Sequence, residues 1–73
     1  MKNLLQIINS ILDSNDKTQI DSLDESIDLR KDLDFDSFML AELTVVVEEH
    51  TGVDIFRDGS ISTISDIIQK IDD

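Results

Sequence analysis

Apolar residues in the first stretch of the chain recur at helical spacing. Placed at about 100° per residue, Leu4, Leu5, Ile7, Ile8, Ile11 and Leu12 fall in one arc of roughly 160°. Asn3, Gln6, Asn9, Ser10 and Asp13 take the other side. This predicts an amphipathic helix that stops near Ser14-Asn15-Asp16, whose side chains compete with the helix for backbone hydrogen bonds. From Lys17 to Asp36 no period persists, although Ile20, Leu23, Ile27, Leu29 and Leu33 recur as apolar anchors. The segment reads as a long loop pinned to the core. A structureless connection of that length is unusual in a small domain, so it is either functional or contains short helical turns.

A second helix is predicted from about Ser37 to His50 or Thr51, closed by Gly52, whose missing Cβ permits the left-handed conformation after a helix end. Val53, Ile55 and Phe56 then return to the core. Arg57-Asp58-Gly59-Ser60 has turn chemistry and leaves room for at most a short third helical turn. Thr63 with Asp66 three residues on resembles a capping box, with Asp in place of the longer Glu or Gln. It opens a last helix in which Ile64, Ile67, Ile68 and Ile71 share a face. No Pro, internal repeat or low-complexity segment marks a boundary, so residues 1–73 read as a single domain.

The second helix differs from the other two in having two apolar faces. Leu40, Leu43, Val46, Val47 and Met39 suffice to pack it. Phe38, Ala41 and Val45 lie on the opposite side, interleaved with Glu42, Glu48 and Glu49. An apolar strip edged by carboxylates suits docking. The alternative is that the long loop covers Phe38 and Val45, and single apolar residues on a surface need no explanation.

Composition narrows the function classes. A chain of 73 residues buries only about 60% of the surface that its unfolded form exposes, so its core is small and a large enclosed active site is not expected. Six Lys+Arg against seventeen Asp+Glu give a formal net charge of -11. Such a surface repels nucleic-acid phosphate and anionic lipid, attracts basic patches on other proteins, and favours a monomer. No sustained apolar run suggests a signal peptide or a membrane span, so a cytoplasmic location is expected. The absence of cysteine rules out disulfides and thiolate metal sites, and any thiol chemistry must come from an added group.

The most informative residues sit where the acidic loop meets the second helix. A serine hydroxyl exposed at a helix N-terminus is well placed to carry a phosphate, because free N–H groups and the positive end of the macrodipole face it. Ser37 in Asp36-Ser37-Phe38 is such a serine. The competing reading is that Asp36 or Ser37 does no more than cap the helix. Capping by Ser37 leaves part of the pattern unexplained, since Leu40 stands where a capping box needs Glu or Gln.

These residues resemble the acyl carrier proteins, which present a serine after a loop ending Asp-Leu-Arg-x-Asp-Leu-Gly-x-Asp-Ser-Leu and follow it with Glu-Leu on a helix. Here the chain reads Asp28-Leu29-Arg30-Lys31-Asp32-Leu33-Asp34-Phe35-Asp36-Ser37-Phe38, then Glu42-Leu43, Glu48-Glu49, Gly52-Val53-Asp54-Ile55 and Ser62-Thr63-Ile64. The likeness spans nearly the whole chain. It implies an all-α, antiparallel bundle of three main helices plus a short one, with Ser37 esterified by phosphopantetheine from coenzyme A. It implies a carrier and no catalytic residue of its own. A magnesium-dependent phosphopantetheinyl transferase would modify Ser37, with Asp36 helping to hold the metal in the encounter. Phe38, Ala41, Glu42, Val45, Glu48 and Glu49 would form the helix face that meets basic patches on acyl- or aminoacyl-loading enzymes and on downstream synthases and transferases. The arm's thiol would hold acyl groups as thioesters.

Three departures from that pattern bear on the pathway. Asp34 stands where the family often has Gly, Phe38 replaces the usual Leu, and the segment from Phe56 to Ser60 is short and lacks an acidic third helix. They leave modification of Ser37 intact, and the expected pathway is fatty-acid or specialised biosynthesis, the departures weakening ordinary fatty-acid synthesis against a dedicated polyketide, aminoacyl or cell-wall related carrier. Asp36 before the serine argues mildly against a peptidyl carrier, where Gly-Gly-x-Ser is more typical. One rival is a calcium-binding loop at Asp32-x-Asp34-x-Asp36, which fails at its sixth position, Ser37, and its twelfth, Leu43. Another is a small acidic interaction module with no prosthetic group. A hydrolase is disfavoured, because the lone histidine, His50, lies more than three turns along the helix from Ser37.

Overall fold

The computed structural model describes residues 4–56 and 61–72. Its helices are α1, Leu4–Ser14, α2, Ser37–Thr51, and α3, Ile64–Asp72. The described residues hold no strand beyond one isolated antiparallel bridge between Asp28 and Thr63. The all-α expectation therefore holds, with three helices among the described residues. The expected short turn at Arg57 to Ser60 lies outside them.

Each helix ends where its sequence supplies the chemistry to end it. At the close of α1, the Asn15 and Lys17 N–H groups donate to the Leu12 carbonyl at 3.1 and 2.8 Å, and Asp16 takes a left-handed φ of 58°. Aspartate tolerates that region better than branched or bulky residues do. Gly52 closes α2 with φ 75°, its N–H donating to the Glu48 carbonyl at 2.7 Å. At the start of α3, Asp66 Oδ2 accepts from the N–H groups of Ser62 and Thr63 at 2.9 and 3.0 Å, while the Asp66 N–H donates to Thr63 Oγ1 at 3.3 Å. The shorter aspartate thus completes the reciprocal cap usually made by glutamate.

The core draws on every element. Leu4, Ile7, Ile8, Ile11 and Leu12 of α1 meet Met39, Leu40, Leu43 and Val47 of α2 and Ile64 and Ile67 of α3. Val46, expected in the core, is only partly buried. Phe35 and Ile61 are buried as well, at 4% and 3% exposure. The sequence pattern did not single them out, because each is an isolated apolar residue in a segment without a period.

The long connection is ordered by backbone pairing and by side-chain clamps, one of which comes from α1. Asn9, on the polar side of α1, donates to the Ile20 carbonyl at 2.9 Å and accepts from its N–H at 2.8 Å. Leu29 donates to the Ser62 carbonyl at 2.8 Å, Ile64 to that of Ile27 at 3.0 Å, and Ser65 to that of Glu25 at 3.0 Å. Leu29 and Leu33 are buried, with Ile20, Leu23 and Ile27 packed partly buried against the core. The five predicted anchors all face inward.

Candidate functional site at the start of α2

The turn leading into α2 is built from aspartates that satisfy backbone donors. Asp28 Oδ1 accepts from Arg30 and Lys31 at 2.9 Å each, and the Asp28 N–H donates to Asp32 Oδ2 at 2.7 Å. The Phe35 N–H then donates to the Leu29 carbonyl at 2.9 Å. Leu33 and Phe35 point into the core, and Asp34, Asp36, Ser37 and Phe38 face solvent. Burial of Phe35 therefore fixes the backbone one residue before Asp36.

Asp36 is the N-cap of α2. Its backbone is extended, at φ -95° and ψ -178°, and its Oδ1 accepts from the Met39 N–H at 2.8 Å. Ser37 is the first helical residue and is exposed. The capping explanation thus belongs to Asp36 alone and leaves the Ser37 hydroxyl uncommitted. Among the described residues, the N–H groups of Ser37 and Phe38 find no protein acceptor, as expected for the first turn of a helix. An exposed hydroxyl, two free donors and the positive end of the helix dipole fit a phosphodiester on this serine.

Asp34 takes a left-handed φ of 57°, a conformation open to glycine and tolerated by aspartate. Its carboxylate forms an ion pair with Lys17 Nζ at 2.8 Å, which ties the end of α1 to the turn before Ser37. The hydrogen bond from Lys17 holds the Asp34 carboxyl below its ordinary range, and in return raises the Lys17 ammonium. Lys17 was not legible as a site residue, because seventeen positions separate the pair and no local spacing connects them.

The three alternating aspartates do not converge. Asp32 is committed to the Asp28 N–H, Asp34 to Lys17, and Asp36 to the Met39 N–H. No group of three or more metal-ligating side chains occurs among the described residues. His50 sits at the far end of α2, thirteen residues from Ser37, or about 20 Å at the rise of an α-helix.

The outward strip of α2 is open. Phe38 and Val45 are 71% and 57% exposed, and Ala41, Glu48 and Glu49 are exposed beside them, so the long loop does not cover them. Glu42 differs from the rest of the proposed face. It is half-buried, on the flank of α2 turned toward α1. No helix among the described residues is long and apolar enough to cross a membrane.

The sequence model of the phosphopantetheine attachment site family matches residues 2–71. Comparisons with curated proteins and with solved structures give no match. The match covers almost the entire chain. The chain therefore belongs to the phosphopantetheine attachment site family and is a carrier domain for that covalently bound prosthetic group.

Proposed function

We propose that Ser37 is the attachment residue and that the chain shuttles acyl intermediates between enzymes of a specialised biosynthetic pathway. The observation that carries the assignment is the division of labour at the helix start, where Asp36 takes the cap and leaves the Ser37 hydroxyl exposed. In the transfer, Ser37 Oγ attacks the pyrophosphate of coenzyme A at the phosphorus bearing the pantetheine. A P–O bond breaks, adenosine 3′,5′-bisphosphate leaves, and the hydroxyl proton passes to a base of the transferase. The N–H groups of Ser37 and Phe38, without a protein acceptor among the described residues, would stabilise the resulting phosphodiester. Asp36, with one oxygen on the cap, would offer the other to a magnesium ion in the encounter complex. When bound, the group supplies the thiol that this chain lacks, and a flexible tether that raises the local concentration of cargo at a docked enzyme.

Phe38, Ala41 and Val45, flanked by Glu48 and Glu49, form the surface offered to basic patches on the transferase, the loading enzyme and later synthases. Exposed charges favour fast, salt-sensitive encounters over tight binding, as a shuttle needs. Because Asp34 preserves the glycine-like turn, its presence says little about pathway. The reading of a dedicated carrier for polyketide, aminoacyl or cell-wall chemistry rests on Phe38 and the short sequence from Phe56 to Ser60. Incubation with coenzyme A and a broad-specificity transferase should add one phosphopantetheine mass, located at Ser37. The Ser37→Ala protein should gain none while melting at the same temperature. Unmodified wild-type protein, or modification elsewhere, defeats the assignment.

A further inference from the structure

Asp32 and Asp36 each spend an oxygen on a backbone donor, whereas Asp34 is held by a cation, Lys17. The pair is anchored from the α1 side. Lys17 is fixed by its own N–H, which donates to the Leu12 carbonyl at 2.8 Å, and by the left-handed turn at Asp16 just before it. Its side chain borders a shallow depression with Ile20 and Leu33 and is 29% exposed, against 87% for Asp34. Asp34 is otherwise gripped only through its neighbours, the buried Leu33 and Phe35. An exposed ion pair contributes little to stability. This one nevertheless settles where a negative charge lies, two residues before the cap of α2.

We propose that Lys17 is a positioning residue for the loading of Ser37: by holding the Asp34 carboxylate at the end of α1, it keeps the positive end of α2 free for the incoming phosphodiester. The inference rests on the attachment at Ser37 proposed above and extends it to a residue in another part of the chain. The N–H groups of Ser37 and Phe38 have no protein acceptor among the described residues, so a loose carboxylate nearby competes for them and for the dipole behind them. Such a carboxylate also repels the anionic pyrophosphate of coenzyme A as it approaches. Pairing with Lys17 at 2.8 Å offsets that charge. Asp36 is charged as well, but its Oδ1 is already bonded to the Met39 N–H and leaves those of Ser37 and Phe38 open.

The test measures loading by mass spectrometry, with coenzyme A, magnesium and a broad-specificity transferase, across a set of variants. Lys17→Met, which keeps an apolar stem, should lower kcat about threefold to fivefold with little change in melting temperature, the size expected for one exposed charge at a helix end. Lys17→Arg still pairs with Asp34 and should load like wild type. Lys31→Met makes the same change in net charge at a side chain with no ion pair among the described residues, and should leave kcat in place. Adding Asp34→Asn to Lys17→Met should restore the rate, since asparagine tolerates the left-handed turn and brings no charge to compete. In unloaded, isotope-labelled Lys17→Met the amide protons of Ser37 and Phe38 should move downfield, and return in the double variant. A double variant as slow as Lys17→Met shows that Lys17 merely pins the turn. That result, an undiminished kcat in Lys17→Met, or an equal loss in Lys31→Met overturns the inference. Wild-type protein that loads without regard to Lys17 loses only this inference, whereas wild-type protein that fails to load at Ser37 loses the carrier reading.

Discussion

On one side of α2, Met39, Leu40, Leu43 and Val47 are sealed in the core, while on the other Phe38, Ala41 and Val45 stand in water beside Glu48 and Glu49. The inner residues explain why the helix packs. The outer ones contribute little to that packing, and Phe38 and Val45 are the large apolar side chains left exposed among the described residues. By contrast, the exposed positions of α1 are Gln6, Ser10, Asp13 and Ser14. Stability asks for one apolar stripe per helix, so a second stripe confined to the helix that begins at Ser37 supports the docking role proposed for it.

The contrast can be broken most forcefully from the inner side. Leu43 is fully buried, and Leu43→Ala should cost about 2–5 kcal/mol, a large share of the stability of so small a domain, read as a lowered urea midpoint. A smaller effect is expected at the helix start that both faces share. Asp36→Ala removes the cap on the Met39 N–H and should cost about 1 kcal/mol. Asp36→Asn keeps a capping oxygen, so it should retain most of the stability while slowing magnesium-dependent loading. Equal loss of stability in both variants would show that charge, rather than the cap, matters there.

Acid provides a gentler test on one-faced α3. Hydrogen bonds from the Thr63 and Ser62 N–H groups hold the Asp66 carboxyl below its ordinary range. Its contribution is therefore fully present above a pH of about 4 and is lost as pH falls through the depressed folded value. Asp66→Asn should flatten the acid limb of the melting curve. Smallest of all, Phe38→Ala should change stability by no more than about 0.5 kcal/mol while reducing the rate of loading or acyl transfer. A large loss of stability from Phe38→Ala would abolish the distinction between the two faces.

Much of this was legible before the coordinates. One-faced periodicity located α1 and α3, and Ser37 and Gly52 marked the limits of α2, because these signals are local. The five loop anchors were also readable as apolar residues. What joins them was not, since the bonds from Leu29 to Ser62 and from Ile64 to Ile27 bring distant segments together through backbone atoms that carry no sequence signature. Phe35, an isolated apolar residue between two aspartates, carries no periodic signal that would mark it as core. At the site, Ser37 could be singled out, but the choice of Asp36 as cap depends on backbone angles set by the buried Phe35. From the sequence Glu42 reads as part of the outer strip because it lies only about 40° round the helix from Phe38. The neighbouring wall of α1 turns that flank into a groove.

The pairing of residues 25–29 with 62–65 also governs geometry at a distance. Through Leu29 and then the Phe35 N–H, it moors the segment just ahead of Ser37 to the stretch that begins α3. On the attachment proposed above, an arm rooted on Ser37 would swing from a stationary post. Its sweep is set by the length of the arm itself, and the compass bearing of the cargo by how an enzyme grips the body of the carrier.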